Sequence, residues 1–222
     1  KKGTNSESWV RPKYWLPLPK VVGDNETWLL VQTPNATAIQ CGYQNEGYTV
    51  DVDWGDGTTE IVPMGYTTNH FYSQVGYYWC KLKFPDSQNL HNDQKSVSLW
   101  EGHDAENHST YPTILEIICG KNCSFVQSFD NLILEHIVTG QYFCTIIPLP
   151  SLKCLEWNEG CIETRYAFNH GIYDIRFANT VTTIKSGSLS KLNALKKIKS
   201  NYITTIEAID TISLCSNLRE IY

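Results

Sequence analysis

Between Glu101 and Ser109 two histidines, His103 and His108, share a short stretch with three acids, Glu101, Asp104 and Glu106. Imidazoles and carboxylates are ligands for a divalent ion, so a metal loop is one reading of this stretch, and a solvated polar loop is the default. The remaining histidines are His70, His91, His136 and His170. Eight cysteines, at positions 41, 80, 119, 123, 144, 154, 161 and 215, form no paired Cys-x-x-Cys knuckles, which argues against a structural zinc site. No nucleophile elbow and no paired-carboxylate motif is recognisable, although glycosidase carboxylates need not be neighbours in sequence. The expectation is a non-enzymatic chain with no catalytic residue, no cofactor and no resident metal.

The segment Val52–Glu60, "VDWGDGTTE", admits three chemistries. A phosphate cradle needs a lysine and a following helix, and neither follows Gly57. A calcium loop wants acids at alternate positions and a glutamate at the twelfth, a register that Asp51, Asp53 and Asp56 do not keep. A tight turn fits: Asp56-Gly57 suits a backbone that needs positive φ, and strand-like sequence lies on both sides.

That strand pattern runs from residue 26 to about 100 with period two. Ile39, Cys41 and Tyr43 share one face; Val50 and Val52 oppose Asp51 and Asp53; Tyr78, Cys80, Leu82 and Phe84 share another face. No helical stripe interrupts them, which predicts a β-sandwich. Before it, residues 1–24 include "WVRPKYWLPLPK", whose prolines forbid a helix. This reads as an extended arm that packs on its neighbour or on another chain, or as a plain linker. Trp9, Trp15, Leu16 and Leu18 are too apolar to stand in water, which favours docking.

From residue 113 onward the period changes. Short Leu-x-x-Ile-like blocks recur: "LEII" at 115, "LEHI" at 134, "LKCL" at 152, "IYDI" at 172, "LKKI" at 195 and "LREI" at 218. Spacing near twenty residues is the mark of a leucine-rich solenoid, one short parallel strand per block with an irregular return. "VTTI" at 181 and "ITTI" at 203 repeat the same spacing. Residues beside the block anchors are expected to face outward as a recognition ladder: Glu135, His136, Lys153, Glu156, Tyr173, Asp174, Arg176, Lys196, Lys197, Lys199, Arg219 and Glu220. A merely solvated face is the competing reading. The polar stretch 101–112 is the expected boundary between separable domains at 25–100 and 113–222, an expectation that one undivided sheet across it would refute. The final block "LREIY" predicts a cover over the last coil, from further chain or a neighbouring subunit.

Composition narrows the function classes. The chain has 222 residues, 41% hydrophobic, with Lys+Arg 18 against Asp+Glu 23 and a formal charge of −5, so it is globular and not basic enough for nucleic acid. Seven tryptophans and thirteen tyrosines suit β surfaces. No apolar run reaches membrane-helix length. Sequons at Asn25, Asn35, Asn107 and Asn122 do not decide the compartment, since a chain this rich in Asn, Ser and Thr produces several by chance.

Trp54, Gly55-Asp56-Gly57, His70-Phe71-Tyr72 and Gly76-Tyr77-Tyr78 together resemble the motifs of the PKD-type (polycystic-kidney-disease) β-sandwich, over roughly residues 26–86. The resemblance implies structural roles for Trp54, Gly55, Asp56, Gly57, His70, Tyr72, Gly76 and Tyr78. Cys41 and Cys80, with Trp54 between them, echo the Cys…Trp…Cys logic of immunoglobulin-like sandwiches. A Cys41–Cys80 disulfide is one reading, and two buried thiols the other. Residues 113–222 resemble BspA-type leucine-rich repeats. The order arm, PKD-like unit, repeats is similar to proteins displayed on bacteriophage tails or fibres. The implied function is a structural, adhesion or recognition module of a virion, partnered by other subunits and by a host-surface protein or glycan. The alternatives are a bacterial cell-surface or extracellular adhesin, or a carbohydrate-binding accessory region of a secreted enzyme.

Overall fold

A computed structural model of the chain describes residues 8–33, 36–42, 47–87, 89–90, 94–99, 113–128, 133–140, 142–144, 149, 151–157, 161–165, 171–184, 189, 192–200, 202–207 and 215–221. The described residues hold eighteen strands and no helix, so none is long and apolar enough to cross a membrane.

The period-two segments form the first seven strands: β1 (Glu26–Thr33), β2 (Ala36–Cys41), β3 (Thr49–Asp53), β4 (Thr59–Pro63), β5 (Thr67–Phe71), β6 (Gly76–Lys83) and β7 (Ser96–Leu99). Alternation decides their orientation. In β3, Val50 and Val52 are buried while Asp51 is exposed. The repeat blocks give β8 (Thr113–Cys119), β10 (His136–Thr139), β12 (Cys154–Trp157), β14 (Asp174–Phe177), β16 (Lys197–Lys199) and β18 (Glu220–Ile221). Between them run β9 (Ser124–Ser128), β11 (Tyr142–Cys144), β13 (Cys161–Arg165), β15 (Thr183–Ile184) and β17 (Thr205–Ile206). The return from one block to the next is therefore not irregular as expected. It passes through a second strand, and "VTTI" and "ITTI" supply β15 and β17.

Two mixed sheets result, one of ten strands in the order β18-β16-β14-β12-β10-β8-β1-β6-β3-β4, the other of eight in the order β17-β15-β13-β11-β9-β7-β2-β5. From β8 onward consecutive strands alternate between the sheets, and each pairs in parallel with the strand one repeat away. Before β8 every described pairing is antiparallel.

At the junction between the expected domains, 25–100 and 113–222, the sheets are continuous. β8 is antiparallel to β1 on one side and parallel to β10 on the other. β7 is antiparallel to β2 and parallel to β9. Both sheets cross from the first half to the second, and one apolar cluster runs from Leu29, Val52 and Trp54 through Ile117 and Ile137 to Leu195 and Ile198. The change of sequence period marks a change of strand direction within shared sheets. The stretch 101–112, with its candidate metal loop, lies outside the described residues, as do His91 and His170.

Candidate functional site

The parallel ladder sets side chains of successive repeats beside one another. Along one row, register pairs join Glu116, His136, Cys154, Asp174, Lys197 and Glu220. Two residues farther along lie Val138, Glu156, Arg176 and Lys199. Both rows belong to the ten-stranded sheet. Glu116 reaches its row through a bulge: the β1–β8 register shifts between Leu30 and Val31, so Leu115 and Glu116 together span one pairing position. Bulges re-aim side chains in this way. Leu115 joins an apolar cluster with Leu30, Cys154, Trp9 and Trp15, while Glu116 turns its carboxylate toward His136.

The N-terminal arm lies across this face. Its prolines keep the chain extended, and a turn from Trp15 N to the Pro12 carbonyl bends it once. Trp9 and Trp15 are buried, Leu16 packs partly, and Leu18 stays exposed. The Trp9 backbone is held at both ends: its N–H donates to Asp174 Oδ2 at 3.0 Å, and its carbonyl accepts from Arg176 Nη2 at 2.6 Å. Arg11 makes a forked contact with Glu116, Nε at 2.9 Å and Nη2 at 2.7 Å from Oε2. Its guanidinium also sits 5.3 Å from the Trp15 ring centroid, and Trp79 Nε1 donates to the Pro17 carbonyl at 2.9 Å.

Beneath the arm the charges alternate in sign. His136 Nδ1 lies 2.7 Å from Glu116 Oε1, and Arg176 Nη1 lies 2.9 Å from Glu156 Oε1 while its Nη2 lies 2.7 Å from Asp174 Oδ2. His136 Nε2 is buried, 3.3 Å from Glu156 Oε1, close enough for charge attraction but outside hydrogen-bonding geometry. The ring of Trp9 covers that of His136, with centroids 4.4 Å apart. Burial works against a charged imidazole, yet contact with Cys154, Glu116 and Glu156 outweighs it and His136 is pushed up to about 10. Burial raises the Cys154 thiol, and the His136 contact only offsets part of that.

Cys154, His136 and Glu116 stand in the order of nucleophile, base and orienting acid on three adjacent strands. A thiolate is the nucleophile, and this thiol is fully buried, raised by burial and packed in one cluster with Trp9 and Trp15. The arrangement as folded favours a sealed ionic lock or a closed ligand set over attack on a substrate.

The recognition ladder is corrected at two positions. His136 and Asp174 were expected outside and are buried under the arm. Glu156, Tyr173 and Arg176 are half-buried at its edge, and Lys197 is partly covered. Lys199 and Glu220 occupy the expected rows through their backbones. Lys196 and Arg219 are exposed, and Glu135 and Lys153 pair with each other at 2.8 Å. Glu116, Cys154 and Arg11 were not singled out. The signal for the first two is the repeat itself. Read as "ILEI" from Ile114, one residue earlier, the first block puts Glu116 in the same third position as His136, Cys154 and Asp174.

The other motif residues gather at the β3–β4 hairpin. Trp54 is buried, its ring stacked on His70 at 4.6 Å, and its carbonyl accepts from Tyr72 Oη at 3.1 Å. Asp56 accepts from the Thr58 amide and hydroxyl and lies 2.8 Å from His70 Nε2. Gly55 and Gly57 have φ of 82° and 94°, and a Cβ at Gly55 would collide with the Trp79 carbonyl. The turn spans five residues, Trp54 to Thr58, between the paired Asp53 and Thr59, so it is longer than a two-residue turn. Gly76 opens β6, and Tyr78 stacks on Tyr72 at 4.5 Å while its hydroxyl donates to the Gln74 carbonyl. Cys41 and Cys80 are both buried free thiols.

Comparison with protein-family models, with curated proteins and with solved structures gave no match.

Proposed function

We propose that the chain is a non-enzymatic structural and recognition module, a PKD-like sandwich continued by a leucine-rich-repeat coil, carried on the surface of a larger assembly such as a bacteriophage tail or fibre. The observation that carries this reading is the use to which the chain puts its own chemistry. The trio with a nucleophile, a base and an acid, Cys154, His136 and Glu116, is closed by Trp9, whose carbonyl Arg176 holds, and Glu116 is tied by Arg11. A catalytic centre needs access for a substrate; a rigid platform does not. The hairpin residues support the sandwich reading in the same way, since Trp54 stacks on His70, His70 meets Tyr72 edge to face, and Tyr72 stacks on Tyr78. Strands that alternate between two sheets at the repeat spacing support the coil reading.

The surface left to a partner lies beyond the arm, at Lys196, Lys197 and Arg219 and at the edge strands β4 and β5, where Ile61 and Phe71 are exposed. Mass spectrometry of purified particles tests the proposal. The expected result is the chain at structural copy number, with crosslinks from Lys196 or Lys197 to a second virion protein. Recovery only from cell envelopes would favour the bacterial adhesin, and recovery free in the medium beside a hydrolase the carbohydrate-binding accessory region.

A further inference from the structure

We propose that His136 Nε2, Cys154 Sγ and Glu156 Oε1 are protein ligands for one divalent transition ion, zinc before others. The three donors lie within 4.8 Å of one another on the neighbouring strands β10 and β12. With metal–ligand bonds of about 2.0–2.3 Å, tetrahedral ligands stand about 3.5 Å apart, so the set needs only a modest contraction. Thiolate, imidazole and carboxylate together suit a borderline ion and not calcium or magnesium, which take oxygen.

Two further features point the same way. First, the nitrogen that would bind is buried and makes no hydrogen bond of acceptable geometry. Buried polar atoms are rarely left so. Second, the opposite ring nitrogen is already engaged: Glu116 Oε1 lies 2.7 Å from Nδ1, and Arg11 grips Glu116 with a fork. A carboxylate on the far nitrogen is what orients a metal-ligating histidine and makes it a stronger donor.

Trp9 lies over the ring, so the ion reaches its ligands only when the arm lifts, and loading is slow. The inference does not depend on where the protein acts, since it rests on the ligand geometry alone.

Cobalt titration of the full-length, reduced protein tests it. The expected result is one Co²⁺ per chain with an intense thiolate-to-cobalt absorption, displaced by Zn²⁺, together with a rise in melting temperature. Cys154→Ser should remove the absorption while the apo form melts as before. Should that variant not fold, Glu156→Gln, at a half-buried position, should weaken binding by about ten-fold or more, while the exposed Glu207→Gln leaves it unchanged. No thiolate absorption in the wild type overturns the proposal. So does binding that Cys154→Ser or Glu156→Gln leaves intact.

Discussion

Trp54 shows what a single residue does here. It is buried with 1% exposure, carries a stacked histidine and accepts a hydrogen bond from Tyr72. Trp54→Ala should therefore cost about 3–5 kcal/mol and lower the melting temperature strongly. Unchanged melting with a lost binding activity would mark it as a ligand contact instead. Asp56 adds a pH dependence. Burial opposes its charge, but hydrogen bonds from Thr58 and His70 outweigh this and hold its carboxyl below the usual range. The unfolded carboxyl titrates near about 3.9. The stabilisation is thus fully present above that pH and fades as pH falls through the lower folded value. Denaturation of wild type and Asp56→Asn across pH should show a gap in stability that narrows as pH falls below about 4. A gap that persists unchanged into strong acid would contradict this. These residues were legible in the sequence because turn chemistry is local: a glycine with positive φ and an acid that caps its own turn need no knowledge of distant strands.

At the scale of elements, the arm and the β8–β14 face depend on each other. Glu116 is fully buried, and Arg11, from an arm more than a hundred residues away, donates three hydrogen bonds to its carboxylate. Arg11→Ala leaves that carboxylate to His136 alone. Breaking a buried pair from one side costs about 3–5 kcal/mol, and the part-exposed Arg11 puts the expected loss near the lower end, read by chemical denaturation. Arg11→Lys keeps the charge without the fork and should lose less. Loss of no stability in Arg11→Ala would show that the arm rests on the sheet without locking it. The sequence signalled that an arm with Trp9 and Trp15 must dock, because so much apolar surface is costly in water. It did not signal the place. The β1–β8 bulge shifted the first repeat by one residue, and a shift of one exchanges the faces of a strand. Glu116 was hidden for that reason, and with it the sealed cluster.

For the whole molecule, the mainly-β character was legible, because period-two alternation in the first half and hydrophobic anchors recurring near every twenty residues in the second both point to strands. The continuity of the sheets was not. Pairing across the two halves is backbone hydrogen bonding between β1 and β8 and between β7 and β9, and side-chain periodicity carries no mark of which strand edges meet. Shared sheets and a shared core make cooperative unfolding the expectation. A protease nick within 101–112 should accordingly leave two fragments that remain associated. The most direct measurement is native-state hydrogen exchange on the full-length protein, peptide by peptide. β1 and β6, on the antiparallel side, and β8, β10 and β12, on the parallel side, should open with one common free energy. If β8, β10 and β12 instead exchange as a separate class while β1 and β6 stay protected, the halves are independent and the single-platform account is wrong.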